Sequence, residues 1–143
     1  MLRNNWELEK TDAVFIANVF HIAPIEVMHT CLKVTSKCLK HLGIFCVYGP
    51  FRFEGEFTSQ SNAEFDYSLK MNNPEWGIRN FEQLCQFAEE EGLAFQHSYS
   101  MPANNQLLVF KKHSRTGNLS LDSTQNLFPS FSKRELSRGD HKP

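Results

Sequence analysis

The sequence predicts an α/β fold, the rear half of a doubly wound sheet in which parallel strands precede a C-terminal antiparallel hairpin. Residues 13–19 (AVFIANV) and 44–48 (IFCVY) are short, continuous apolar runs, the pattern of strands buried on both faces. A helical repeat of apolar residues separates them, which indicates a parallel βαβ unit. Two later strands, at 93–99 (LAFQHSY) and 107–110 (LLVF), are separated by SMPANNQ, which is short enough for an antiparallel hairpin.

Residues that typically start and end helices lie between these strands in the sequence. The first helix is expected to follow Pro24 and to stop at Gly43, with Lys40 and His41 placed favourably at its carboxyl end. A capping box that begins at Ser61 starts a second helix, which ends near residues 72–74. A similar motif that begins at Asn80 starts a third helix, and Gly92 stops it.

Composition describes an ordinary soluble protein. The 143 residues are 41% hydrophobic, with a formal net charge of −1, so neither a membrane nor nucleic acid is favoured as a partner. The four cysteines show neither CxxC nor metal-ligand spacing, so we predict no metal site and small, buried thiols in a reducing compartment. The expected location is cytoplasmic or nuclear.

Three regions are expected along the chain. Residues 1–12 are an N-terminal remnant, residues 13–113 form a partial α/β domain, and residues 114–143 form a tail. The tail contains six serines and lacks any sustained period, which predicts disorder. A phosphorylated or partner-binding tail is the alternative.

Four motifs resemble the methyltransferase-like 26 family, a group of S-adenosylmethionine-dependent methyltransferases by prediction. They are IANVFHIAPIEV, YGPFRFEGEFTSQSNAEFD, NPEWGIRNFEQL and MPANNQLLVFKK, and they follow the family's order between about residues 6 and 112. The resemblance implies the class I methyltransferase sheet of seven strands. On that mapping, residues 13–19 are strand four, residues 44–48 are strand five, and the hairpin is the closing pair.

The same resemblance implies S-adenosylmethionine as the cofactor, but the sequence departs from the family at the cofactor loop. Class I methyltransferases hold the cofactor against a glycine-rich turn after strand one and an acidic residue at the end of strand two. This chain has seven glycines, and no two are spaced as GxG. We therefore expect a truncated or spliced form that resembles the C-terminal half and is inactive alone.

The predicted catalytic residues follow the two parallel strands. Asn18 is expected to contact the cofactor and the acceptor, and His21 to take the acceptor's proton. Tyr48 offers a ring and a hydroxyl, while Gly49 permits close approach of a substrate. The alternative for Asn18 and His21 is that they form hydrogen bonds with backbone groups of the loop. The alternative for Tyr48 is that its ring packs in the core and its hydroxyl faces solvent.

Four further residues are predicted to bind substrate. Asn62 and Asp66 lie one turn apart on the second helix, where they contact a polar substrate or a loop. Arg79 either clamps a carboxylate or phosphate, or pairs with Asp66. Asn104 forms part of a pocket lip or a left-handed position of the hairpin turn.

These observations lead to two functional hypotheses. The first is methyl transfer to an unknown acceptor, with a small molecule favoured over nucleic acid. The second is a non-catalytic form that associates with a protein partner through the open edge of its first strand, or has no independent activity.

Overall fold

The computed structural model describes residues 9–113 as one mixed sheet with helices. The strands are β1 (Thr11–Ala17), β2 (Leu39–Gly49), β3 (Leu93–Met101) and β4 (Asn105–Lys112). The helices are α1 (Ile25–Cys38), α2 (Gln60–Asn72) and α3 (Phe81–Glu90), with 3₁₀ turns at Phe20–Ile22 and Pro102–Asn104. The predictions for residues 1–8 and 114–143 lie outside the described residues, and β1 includes two residues assigned above to an N-terminal remnant.

The sheet has the strand order β1-β2-β4-β3, in which β1 pairs with β2 in parallel and β4 pairs antiparallel with both β2 and β3. The prediction of a mixed α/β sheet with a parallel pair and a closing antiparallel hairpin is therefore confirmed. Among the described residues, β1 lies at the edge of this sheet, as predicted for the first strand.

One face of the sheet carries the hydrophobic core. The ring centroid of Phe110 of β4 lies 5.7 Å from that of Phe45 of β2 and 5.7 Å from that of Phe95 of β3. The Phe81 ring of α3 lies 5.0 Å from that of Phe95. Apolar side chains of α1 and α3 join the same cluster, of which Met28 is almost fully buried. Aromatic pairs at these separations add to the stabilisation that burial provides.

The opposite face is less covered within the described residues. Phe15 of β1 is 63% exposed, although it is in register with Cys46 of β2, which is paired with Val109 of β4. Cys46 and Val109 are half-buried. The prediction that the first strand is buried on both faces is therefore wrong, because its outer face has no packed neighbour comparable to α1 and α3 on the inner one.

The first helix ends earlier than the sequence predicted. It stops at Cys38, and Leu39 has extended backbone angles and begins β2. The cations at its carboxyl end are Lys10 and Lys112, whose ammonium groups donate to carbonyls of the last turn, instead of Lys40 and His41. Leu39 pairs with Thr11 of β1, so long-range strand pairing overrides the local stop signal.

Gly43 has a packing role within β2 rather than a role as a helix stop. A Cβ atom there would lie 2.9 Å from the carbonyl oxygen of Lys40 and 3.1 Å from that of Asp12. A side chain would clash with the backbone of its own strand and crowd that of β1, so the position favours glycine.

The cap of α2 is Ser59 and not the predicted Ser61. The Ser59 Oγ accepts a hydrogen bond from the backbone N–H of Asn62 at 3.0 Å. The start of α3 after Asn80 is confirmed, although the Asn80 side chain makes no capping bond. Gly92 follows that helix with φ 79°, and its N–H donates to the Glu89 carbonyl, which confirms the predicted stop.

The hairpin between β3 and β4 turns through two residues with positive φ, Ala103 (62°) and Asn104 (61°). The sequence predicted a turn with left-handed asparagines, which is confirmed for Asn104. Asn105 is instead extended and begins β4. Among residues 9–113, no helix has the length and hydropathy needed to cross a bilayer.

A clasp of charged and backbone groups fastens the segment that follows β1 to the segment between α2 and α3. The Arg79 guanidinium donates from Nε to the Phe20 carbonyl at 3.1 Å and from Nη2 to the carbonyls of Ala23 and Glu75 at 2.6 and 2.7 Å. Charged donors form the stronger hydrogen bonds to carbonyls. Arg79 therefore fixes the turn after β1 from outside its own sequence neighbourhood.

We predict opposite outcomes for two phenylalanines on the two faces of the sheet. Phe45→Ala should lower the free energy of unfolding by about 3 to 5 kcal/mol, since Phe45 is fully buried. Phe15→Thr, which preserves strand propensity, should change it by only about 0.5 kcal/mol. Urea unfolding followed by circular dichroism measures both, and a comparable loss at Phe15 would show that the outer face is covered.

We also predict that Arg79→Met lowers the free energy of unfolding by about 2 kcal/mol or more, because it leaves three carbonyls without their charged donor. Arg79→Lys should lose less. Lys33→Met is the matched control, since Lys33 forms an exposed ion pair with Glu91 whose net contribution is small. Equal stability of Arg79→Met and Lys33→Met would contradict the role assigned to the clasp.

Candidate functional site

The candidate site lies at the edge of the sheet where the carboxyl ends of β1 and β2 meet. Parallel pairing places Ala17 opposite Tyr48, and the Asn18 N–H donates to the Tyr48 carbonyl at 2.9 Å. The Cα register continues the edge across the sheet, with Gly49 opposite Gln106 of β4. The expectation that the two strand ends share one rim is confirmed, and this edge is called the rim below.

Asn18, His21 and Gly49 converge at the rim. A Cβ atom built on Gly49 would lie 3.6 Å from Asn18 Oδ1 and 3.9 Å from His21 Cε1. Asn18 has φ 59°, a left-handed conformation that asparagine tolerates better than most residues, and it is exposed. The structure therefore brings together three of the residues that the sequence singled out.

His21 is buried, with 7% of its surface exposed, in the 3₁₀ turn that follows β1. The His21 backbone carbonyl accepts a hydrogen bond from the Gly77 N–H at 3.0 Å, and the Phe20 carbonyl accepts one from Arg79. The segment between α2 and α3 therefore holds the turn that carries His21. Burial, and to a smaller extent the charge of Arg79, lowers the pKa of His21 below its ordinary value of 6.5. The imidazole is consequently neutral near pH 7 and able to accept a proton.

Tyr48 ends β2 beside these residues. Its hydroxyl accepts a hydrogen bond from Asn105 Nδ2 at 3.3 Å, across the pair formed by β2 and β4. The side chain is half-buried, so it matches the alternative of a packed ring with a polar tip that is already hydrogen-bonded. Its catalytic role stays a prediction.

Asn62 and Asn104 meet each other although 42 positions separate them. Asn62 Nδ2 donates to the Asn104 carbonyl and to Thr58 Oγ1, both at 3.3 Å. Asn62 is buried, and it joins the start of α2 to the tip of the hairpin. Their binding of substrate stays a prediction, while their observed contacts hold the outer part of the rim together.

Asp66 is buried in α2 and binds internal groups. Its Oδ1 accepts from the Ile78 N–H at 2.8 Å, and its Oδ2 pairs with Lys70 at 2.9 Å. Gly77 permits this approach, because a Cβ there would lie 3.1 Å from Asp66 Oδ1. A carboxylate engaged on both oxygens has limited capacity for a substrate.

Arg79 is held by the carbonyls of its clasp rather than by a direct pair with Asp66. Burial lowers the pKa of Arg79, while the charges of Asp66 and Glu26 act in the opposite direction. The predicted alternative that Arg79 fastens this segment to the sheet agrees with its contacts, although carbonyls replace the expected carboxylate partner. Whether it also binds substrate stays a prediction.

Two residues at the rim were not identified from the sequence as site residues. Phe65 of α2 contacts the His21 imidazole edge to face, with ring centroids 5.6 Å apart and an interplanar angle of 62°. Gln106 is buried opposite Gly49, in phase with Leu108 and Phe110. Gln106 could have been identified from the sequence, because it is a polar residue in phase with apolar residues of β4. The contact of Phe65 could not, because it depends on how α2 packs.

The chemistry available at the rim is limited and specific. A neutral, buried imidazole can accept a proton, and an exposed amide can hold a polar group beside it. Among residues 9–113, no three side chains of the types that bind metals converge closely enough to hold an ion.

The fold resembles that of solved enzymes. A human N-acetylserotonin methyltransferase in complex with S-adenosylmethionine matches 75% of this chain, with a TM-score of 0.65 and 16% identity. An O-methyltransferase family 2 protein from Planctomyces limnophilus in complex with apigenin matches 73%, with a TM-score of 0.66 and 13% identity. A pericyclic reaction enzyme matches 73%, with a TM-score of 0.62 and 16% identity.

These likenesses establish a methyltransferase-like fold over about three quarters of the chain. The chain spans 31%, 32% and 27% of the three solved chains respectively, so it corresponds to a third of their length or less. Since one of the three catalyses a pericyclic reaction, the shared fold does not fix the reaction.

A family model defines the relationship of the sequence itself. The model described as Protein of unknown function (DUF938) matches residues 2–112, which includes every described strand and helix. The match contains the whole rim and the clasp that supports it. The chain therefore belongs to the family described as Protein of unknown function (DUF938).

Proposed function

We propose that this chain is an S-adenosylmethionine-dependent methyltransferase-like protein that contributes the acceptor side of a transfer site. The observation that carries the proposal is the convergence of Asn18, His21 and Gly49 where two parallel strands end. In open α/β sheets, this edge is where ligands bind. The resemblance to the methyltransferase-like 26 family and the methyltransferase-like fold support the same assignment.

The chain's own residues act on the acceptor. Asn18 orients a polar group of a small molecule through its exposed amide, and His21 accepts the proton that an acceptor hydroxyl releases. Gly77 and Arg79 keep the turn that carries His21 in place. Burial of His21 removes competing water from the imidazole.

The described residues do not fit the whole cofactor. Gly49 is the one glycine among residues 9–113 that ends a parallel strand at the rim, and a Cβ there would meet only ordinary contacts of 3.6 Å or more. These contacts at Gly49 do not indicate that a ligand must lie against the backbone there. The sequence also lacks any GxG turn, so Asn18 is the one cofactor contact proposed.

A second candidate is association without catalysis. The edge position of β1 and the exposed Phe15 on its outer face favour it, because an unpaired apolar strand edge attracts another polypeptide. In this case the rim residues would serve the packing of α2 and the hairpin alone.

Titration of the isotopically labelled chain with S-adenosylmethionine, followed by heteronuclear NMR, separates the two candidates. The proposed function predicts saturable shifts of the amide signals of Asn18, Gly49 and Gly77, which weaken in Asn18→Ala. Asn72→Ala, at the exposed end of α2, is the matched control and should bind like the unaltered chain. Silence at these three amides would contradict the proposal and favour association.

The role given to His21 also predicts how stability depends on pH. Because the folded-state pKa of His21 is lowered, the unfolded chain binds more protons than the folded chain once the pH falls below about 6.5. The contribution of His21 to the free energy of unfolding should therefore be complete above this value and decrease as the pH falls towards the folded-state pKa. Urea unfolding between about pH 5 and pH 8 measures it.

In His21→Gln, the free energy of unfolding should decrease less on acidification than it does in the unaltered chain. His41→Gln, at an exposed position of β2, should retain the full decrease. If all three proteins lost stability in parallel on acidification, His21 would not be the buried, neutral imidazole that the proposed function requires.

A further inference from the structure

The position of Phe65 at the rim suggests more than a packing role. Its ring lies edge to face against the His21 imidazole at 5.6 Å, and Phe65 is 41% exposed, whereas His21 is only 7% exposed. Ile22, the neighbour of His21 in the chain, is 45% exposed. Two exposed apolar side chains therefore adjoin His21, Phe65 by ring contact and Ile22 in sequence.

The backbone beneath Phe65 is firmly held, so the ring can move while the helix stays in place. Asp66, the next residue, is buried and bound to Ile78 and Lys70, and Asn62 ties the preceding turn to the hairpin. A χ1 rotation of a partly exposed phenylalanine requires none of these bonds to break.

We propose that Phe65 forms the wall of an acceptor-binding site, and that the acceptor is a planar, apolar molecule with a hydroxyl that inserts between the Phe65 ring and the His21 imidazole. A planar body can replace the ring contact that His21 makes in the free protein, and thus keeps the imidazole away from water. The hydroxyl then provides the proton donor that a neutral imidazole accepts. Removal of that proton rests on the proposed function, whereas the binding step does not.

The exposed surface of α2 provides an internal control. Tyr67 is 67% exposed and lies two positions beyond Phe65, roughly 200° around the helix axis, so it points away from His21. Binding of an aromatic molecule to any exposed ring would involve Tyr67 as readily as Phe65. Binding at the rim would involve Phe65 alone.

The test is an NMR titration of the full chain with 2-naphthol, which follows the ring signals of His21. The expected result is a saturable shift of these signals, with affinity reduced about 3- to 10-fold in Phe65→Ala and unchanged in Tyr67→Ala. Phe65→Leu retains an apolar side chain and a folded helix, and it should show a smaller reduction. If Phe65→Ala is poorly folded, the affinity of Phe65→Leu for 2-naphthol therefore still tests the proposal.

Two matched probes examine the chemical class. Decahydro-2-naphthol keeps the hydroxyl and the carbon skeleton but is not planar, and 2-methoxynaphthalene keeps the plane but cannot donate a hydrogen bond. Both should bind more weakly than 2-naphthol. Equal binding of all three would overturn the assignment of the acceptor class.

A second readout requires no ligand. Removal of the ring in Phe65→Ala should raise the pKa of His21 towards 6.5, because the burial that lowers it decreases. An unchanged His21 pKa in this variant, or 2-naphthol shifts centred on Phe15 instead of His21, would overturn the proposal. Neither measurement uses S-adenosylmethionine, so failure of cofactor binding and failure of this inference are separate results.

Discussion

The parallel pairing of β1 with β2 is the constraint on which the rest of the structure depends. It aligns Ala17 with Tyr48 and so brings the ends of two strands to one rim, although α1 and most of β2 lie between these residues in the chain. Antiparallel pairing would have placed these ends at opposite edges of the sheet. The convergence of Asn18, His21 and Gly49 depends on this alignment.

The rim is held by polar groups whose residue types also suit ligand binding. Asp66, Asn62, Arg79 and Asn104 all bond to other parts of the chain, and each takes part in at least one bond that joins different elements or loops. A side chain that satisfies a buried backbone group is costly to remove, since the abandoned group loses its partner without regaining water. Loss of activity on replacing such a residue would therefore not by itself identify a substrate contact. His21 differs, since its observed ring contact is with Phe65.

The two faces of the sheet differ in how they are covered among the described residues. α1 and α3 pack on the face that carries Phe45, whereas Phe15 on the other face remains largely exposed. The part of this chain that matches the solved structures spans 27% to 32% of their length. An exposed aromatic side chain on an edge strand is a typical site of protein association. The outer face of β1 is therefore the surface of this fold that favours association with another chain.

The sequence by itself determined the order of strands and helices, the parallel pair of β1 and β2, the antiparallel hairpin of β3 and β4, and the positions of Asn18, His21 and Gly49 at a shared edge. These features follow from local apolar periods and from the geometry that a βαβ unit imposes. The tertiary structure alone decided which serine caps α2, where α1 ends, and that Arg79 binds carbonyls instead of a carboxylate. It also decided that Phe15 is exposed and that Phe65 meets His21. The physical reason is that these outcomes depend on contacts between segments far apart in the chain, and the period of a single segment carries no information about its distant neighbours.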